Sequence, residues 1–176
     1  MRIVAGRFGG RRIAAPRGAA TRPTSDRVRE ALFAVLGDVE GARVLDLFAG
    51  SGALGLEALS RGAAQATFVD SAPAAIRAIG ANLAALDADG QVRRQDARTF
   101  LRNARGSGAA YDLVLLDPPY RLAGRLAPEL SPLLTSVLAP GARVVSESDR
   151  RAPLELALTL LDERRYGDTL IRIHAP

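Results

Sequence analysis

From Arg43 onward, short apolar runs alternate with stretches in which apolar residues recur every three or four positions. Residues 44–48 read as a strand and 53–61 as a helix; 66–69 with 72–86 repeat the pair, and 92–94 with 99–105 repeat it again. Apolar runs at 113–116, 133–138 and 142–146 follow. Strands separated by helices cannot pair as tight hairpins, so this order predicts a mostly parallel sheet covered by helices on both faces, an α/β architecture. The end departs from that pattern, because 156–166 and 169–173 flank Gly167-Asp168 with no room for a helix between them. Two antiparallel strands are expected to finish the sheet as a C-terminal hairpin.

Before Arg43 the pattern is different. Residues 1–15 alternate loosely around Gly9-Gly10, with Ile3 and Val4 before and Ile13 after, which predicts a small β-hairpin or extended arm. Residues 16–23 form a Pro/Gly-containing linker. Thr24 or Ser25 can cap a helix with Val28, Leu32, Val35 and Leu36 on one face, Asp26 and Glu30 near its positive end and Gly37 after it. The expected division is an arm and linker over 1–23 and one domain over 24–176.

Composition narrows the classes. At 176 residues and 48% hydrophobic content the chain can bury one domain-sized core. No apolar run approaches the roughly 18 residues a membrane helix needs, and the Arg-rich start lacks a following apolar stretch, so no membrane association is expected and the location is cytoplasmic. Cysteine is absent and the one histidine is His174, which leaves no basis for thiolate metal sites or imidazole catalysis; no metal is expected. The formal charge of +5 is unevenly placed: residues 1–30 carry eight Arg against Asp26 and Glu30, and the rest is almost neutral. A basic segment on a neutral domain is the footprint of a phosphate-backbone partner, with Arg7, Arg11, Arg12, Arg22, Arg27 and Arg29 as candidate phosphate contacts; a solvated surface is the competing reading.

Two segments carry chemistry. Asp117-Pro118-Pro119-Tyr120 follows the apolar run 113–116, at the strand tip where open α/β sheets bind ligands. Asp117 and the Pro118 carbonyl can accept from an exocyclic amine and localise its lone pair; Pro118 and Pro119 stiffen the loop, and the Tyr120 ring can stack on the base. A plain turn is the competing reading of Asp-Pro-Pro, and the strand context with Tyr120 favours chemistry on a nucleobase nitrogen.

The second segment runs from Asp46 through Phe48, Ala49, Gly50, Ser51 and Gly52 to Gly55, a G-x-G-x-x-G spacing between a strand and a helix. Asp70 and Ser71 close the next strand. Glycines admit close backbone approach, the helix N-terminus favours an anionic group, and Asp70 can accept from ribose hydroxyls. The spacing alone also fits a nicotinamide dinucleotide. Asp96 and Ala97 end the third strand, where they either read the amino edge of adenine or merely cap a helix. The amine clamp at the fourth strand and the acidic Asp46, suited to a cationic amino-acid moiety, separate a methyl donor from a hydride carrier.

Taken together, these residues resemble an S-adenosylmethionine-dependent N-methyltransferase of the Rossmann-like class. Residues 22–30 (RPTSDRVRE), 47–62 and 166–169 (YGDT) are similar, more narrowly, to the bacterial 16S ribosomal RNA guanine-N2 methyltransferase family, over nearly all of the chain. The resemblance implies a class I fold with a seven-stranded sheet, S-adenosyl-L-methionine as cofactor, and 16S rRNA as partner, within a 30S subunit or an assembly intermediate, for a monomer. It implies that Gly50 and Gly52 face the methionine portion, Asp70 the ribose and Asp96 with Ala97 the adenine, with Thr24, Asp46, Phe48, Ala49 and Ser71 also in the cofactor site. Asp117, Pro118, Pro119 and Tyr120 would hold the target guanine. The stretch between Ser148 and Leu156 is short for the usual last crossover helix. Competing functions are a DNA adenine or cytosine N-methyltransferase, a non-catalytic RNA-binding assembly factor and a nicotinamide oxidoreductase.

Overall fold

A computed structural model describes residues 1–16, 25–119 and 123–176. One seven-stranded sheet has the order β3-β2-β1-β4-β5-β7-β6. Its strands are β1 (Arg43–Leu47), β2 (Gln65–Asp70), β3 (Gln91–Arg94), β4 (Tyr111–Leu116), β5 (Leu138–Asp149), β6 (Thr159–Tyr166) and β7 (Thr169–Ala175). β1 to β5 pair in parallel, and β7 is antiparallel to both β5 and β6. The expected mixed sheet with its C-terminal hairpin is therefore present. No helix stands between β5 and β6: the chain turns at an Asp149–Ala152 bridge and anchors Leu154 and Leu156 before β6.

Successive residues of the central strands serve opposite layers. Val44, Phe68, Leu113 and Leu115 join α1 (Asp26–Leu36), α2 (Ala53–Ser60) and α3 (Pro73–Leu86) in one apolar core. Leu45, Leu47, Val69, Val114 and Leu116 join α4 (Ala97–Gly106) and α5 (Ala123–Thr135) in the other. This is why the strands read as unbroken apolar runs. The same alternation turns Asp46 toward the α2 layer.

Some local expectations are corrected. α1 begins after Ser25, whose side chain accepts from Val28 N–H, but Phe33 rather than Val35 completes its inner face; Val35 is 38% exposed and Phe33 1%. The run at 133–138 is the end of α5 and the start of β5, not an element by itself. Pro128 and Pro132 lie inside that helix. Each removes one helical donor, and burial of Leu126, Leu130 and Leu134 offsets the loss. Residues 17–24, which hold most of the predicted linker, lie outside the described residues.

The predicted N-terminal hairpin forms and is docked. Arg2 and Arg12 make an antiparallel bridge, Ile3 N–H donates to Arg11 O at 2.9 Å, and Gly10 N–H donates to Ile3 O at 2.9 Å. Ile3, Phe8 and Ile13 are buried in the core shared with α1 to α3. Polar anchors on α2 hold the backbone: Glu57, fully buried, accepts from Val4 N–H at 2.7 Å and Ala5 N–H at 3.0 Å, and Ser60 Oγ accepts from Phe8 N–H at 2.9 Å. Gly6 has φ +79°, and a Cβ there would fall 1.8 Å from Ser60 O. Only glycine lets the hairpin sit this close to α2.

Candidate cofactor and nucleobase site

The C-terminal ends of β1, β2, β3 and β4 form one edge of the sheet. After β1 the chain makes a tight loop with positive φ at Phe48 (60°), Gly50 (57°) and Gly52 (77°). A left-handed conformation is costly for a bulky residue such as Phe48 and persists only where the surroundings enforce it. Here Ala49 N–H donates to Val69 O at 3.1 Å and Gly52 N–H to Ala49 O at 2.7 Å. Gly52 then serves as the N-cap of α2 without a side-chain cap, so the helix start keeps its amide groups toward the loop.

The three glycines do different work. A Cβ on Gly50 would meet only Phe48 O, at 3.9 Å, so the space before it is open. On Gly55 it would lie 2.4 Å from Phe68 Cε1, and on Gly52 3.2 Å from the same atom. Gly90 crowds the other ring edge, 2.8 Å from Phe68 Cε2. The Phe68 ring of β2 thus sits in a socket that only glycines can line.

Asp70 closes β2 and braces the loop. Its Oδ2 accepts from Gly50 N–H at 2.9 Å and its Oδ1 from Ala72 N–H at 2.8 Å. Each carboxylate oxygen keeps a lone pair for a ligand hydroxyl. Ser71 is exposed beside it. Asp96 is the N-cap of α4, accepting from Arg98 and Thr99 N–H, and its paired Arg98 holds its carboxyl below the usual carboxylate range. The capping alternative for Asp96 is realised; its side chain stays 46% exposed at the same edge, with Ala97 buried behind it.

Asp46 lies beneath the loop, 1% exposed, with Oδ2 accepting from Gly55 N–H at 2.9 Å. Burial, with the Asp70 charge adding to it, pushes its carboxyl up to about 8. Asp117 leaves β4, which pairs with β1 through Leu47↔Leu116, so it stands one strand away from Phe48. It is also pushed well up, by burial first and then by the Glu147 and Asp46 charges. Pro118 is buried and Pro119 exposed. Glu147 of β5 is 3% exposed and faces this group; sequence reading missed it, although an acid directly after the run 142–146 was a visible signal. Tyr120 and Thr24 lie outside the described residues. Among the described residues no group of three or more His, Cys, Asp or Glu is placed to hold a metal ion.

The candidate RNA arginines separate into three kinds. Arg7, Arg12 and Arg27 are exposed, and Arg7 also lies over the Phe8 ring at 4.3 Å. Arg11 is exposed but donates to Leu86 O at 3.1 Å and to Ala85 O, at the C-terminus of α3, so its charge is partly used within the fold. Arg29 is 0% exposed, donates to Arg2 O and pairs with Asp26 at 2.8 Å; it is a buried structural residue, which corrects its expected place among the RNA contacts. Arg22 lies outside the described residues. An open hollow between hairpin and α1 is lined by Arg2, Arg12 and Asp26.

Residues 1–175 match the family described as Conserved hypothetical protein 95. The chain is 37% identical to the "Putative rRNA methyltransferase YlbH" of Bacillus subtilis (strain 168), over 99% of this chain and 98% of that protein. It is 45% identical to "Ribosomal RNA small subunit methyltransferase D" of Escherichia coli (strain K12) over 69% of this chain and 61% of the relative. The solved structure of "Putative methyltransferase yhhF from Escherichia coli" superposes with a TM-score of 0.83 at 37% identity, covering 99% of this chain and 96% of that one.

Proposed function

This chain belongs to the Conserved hypothetical protein 95 family, and on that premise we propose that it transfers a methyl group from S-adenosyl-L-methionine to the exocyclic N2 of a guanine in 16S ribosomal RNA. The observation that carries the proposal is the placement of Asp117-Pro118 one strand from the Phe48–Gly52 loop at a shared sheet edge. An amine acceptor and a nucleoside-type loop on adjacent strands bring a base and a methyl donor within reach of each other.

The donor fits the loop on three counts: open space before Gly50, spare lone pairs on Asp70, and buried acidity at Asp46 beneath a cation. When bound it supplies a methyl group already activated by the sulfonium charge. Gly50 and Gly52 would face its methionine part, Asp70 and Ser71 its ribose, and Asp96 with Ala97 its adenine. Asp117 accepts an N–H of the target amine and, with the Pro118 carbonyl, aims the nitrogen lone pair. Positive charge entering the crevice opposes the upward push of burial on Asp46 and Asp117 and favours their ionised, accepting forms. As positive charge develops on nitrogen, Asp117 stabilises it, and the proton that the methylated nitrogen must lose passes to the Asp117 carboxylate and on to water. The N2 edge is occupied in a G·C pair, so the base must be unpaired or extruded, and Tyr120 stacks on it.

Arg7, Arg12 and Arg27, with Arg22, contact RNA phosphates from the segment 1–23 and the start of α1. The substrate is the 16S rRNA of a 30S subunit or assembly intermediate, and the protein acts in the cytoplasm as a monomer without a metal. The test is to incubate protein and labelled donor with 30S subunits, naked 16S rRNA and DNA, then identify the product nucleoside by mass spectrometry. N2-methylguanosine from the ribosomal substrates supports the reading. Transfer to DNA alone, or to none of the three, overturns it.

A further inference from the structure

Asn82 interrupts the buried face of α3, which otherwise consists of Ala75, Ala78, Ile79, Leu83 and Leu86. At 2% exposure an amide is tolerated only when its polar atoms are matched. Its partners belong to two segments remote from α3. Oδ1 accepts from Ala14 N–H at 2.8 Å, and Nδ2 donates to Ala14 O at 3.0 Å and to Ser51 O at 2.9 Å. Ser51 stands between Gly50 and Gly52 in the loop, and Ala14 ends the docked hairpin. A second contact joins the same two segments, from Ser51 Oγ to Met1 Sδ at 3.6 Å.

The amide grips both peptide groups of Ala14 as a neighbouring strand would. Displacing the hairpin therefore breaks two bonds at once and leaves a buried amide whose remaining partner is the loop. A state with hairpin released and loop unchanged leaves polar atoms stranded, so the two segments order together. We infer that Asn82 is a positioning residue that couples engagement of RNA by the N-terminal segment to the geometry of the Gly50–Gly52 loop. The inference rests on the reading of that loop and segment given under Proposed function. A ligand that orders one side removes part of the ordering cost for the other, and such coupling acts equally in both directions.

The experiment uses the full chain. Affinity for S-adenosylhomocysteine is measured by equilibrium dialysis with and without saturating 16S rRNA, for wild type and for Asn82→Ala, with thermal unfolding recorded for each. Wild type is expected to bind S-adenosylhomocysteine about fivefold more tightly or better when RNA is present. In Asn82→Ala that ratio is expected to fall to about one while RNA itself still binds, a change that lost stability alone does not produce. A folded variant that keeps the wild-type ratio overturns the inference and assigns Asn82 to packing. A wild-type ratio of one, with both ligands binding, overturns it while leaving the functional reading intact. Absence of S-adenosylhomocysteine binding by wild type overturns both. Should Asn82→Ala not fold, Ala14→Pro deletes the N–H that reaches Oδ1 and leaves the Ser51 bond; a lowered ratio supports the coupling, and an unchanged one overturns it.

Discussion

The exposed arginines of the N-terminal segment and the buried carboxylates at the strand tips face charge in opposite ways. Arg7, Arg12 and Arg27 stand in water and form no ion pair among the described residues. Asp46 is buried and Asp117 half-buried, and burial together with neighbouring acids pushes both carboxyls above the ordinary carboxylate range. Charge in water costs little and acts over a screening length; charge under the loop is costly and acts only on what enters. One region should therefore respond to salt and the other to pH. The C-terminal hairpin is a third case: Arg150, Arg164, Arg165 and Arg172 are each paired with Asp168, Asp162, Glu163 or Glu155. Arginine content alone does not mark a nucleic-acid face, since arginines already paired within the fold offer less charge to a partner.

The largest expected effect lies in the crevice. Asp117→Asn keeps the shape but not the ionisable acceptor, and single-turnover transfer to 30S subunits should slow by about two to three orders of magnitude. S-adenosylhomocysteine affinity should move far less; a parallel loss of binding would show that Asp117 braces the cofactor loop and does not grip the base.

Next is the pH dependence of the unliganded protein. The folded-state pKa of Asp46 is raised above its unfolded value of 3.8 to about 8, so between those values the folded chain holds a proton that the unfolded chain releases. Stability is fully present below the unfolded value and falls as pH rises through about 8, and Asp117 acts in the same direction. Urea unfolding should show a loss of order a few kcal/mol between acidic and mildly alkaline pH, which Asp46→Asn should largely flatten. A profile unchanged by that substitution would place the titration elsewhere.

Salt probes the other region. Arg12→Ala with Arg27→Ala should weaken RNA binding several-fold and flatten the plot of log affinity against log salt by about 0.7 to 0.9 per lost contact. The smallest effect is the control on the C-terminal hairpin. Arg164→Ala with Arg165→Ala should leave that slope alone and barely move the unfolding midpoint, because exposed pairs contribute little. Equal slopes for the two double variants would erase the distinction between paired and unpaired arginine.

What sequence made legible was whatever rests on local rules. The Asp46–Gly55 loop, the acid ending β2, the Asp-Pro-Pro corner and the antiparallel finish depend on spacing and turn chemistry within a few residues. Much of α5 was not legible, because Gly124, Pro128 and Pro132 all argue against a helix that tertiary burial nevertheless sustains. Arg29 looked like a basic surface residue because, beyond its local partner Asp26, it reaches Arg2 O, 27 positions away. Glu57, Ser60 and Asn82 went unnoticed for the same reason: each serves backbone more than 50 residues distant. Their one local trace is a polar side chain inside an otherwise apolar helical face.

The ring of Phe68 has a bearing on redesign. Because Gly52, Gly55 and Gly90 enclose it, the spacing of the loop is dictated by a peg in the protein's own interior before any ligand arrives. A side chain at position 55 would need a slimmer residue at 68 and a shift of the Asp46 carboxylate, so repurposing this scaffold for a different small molecule begins one layer below the surface that would touch it.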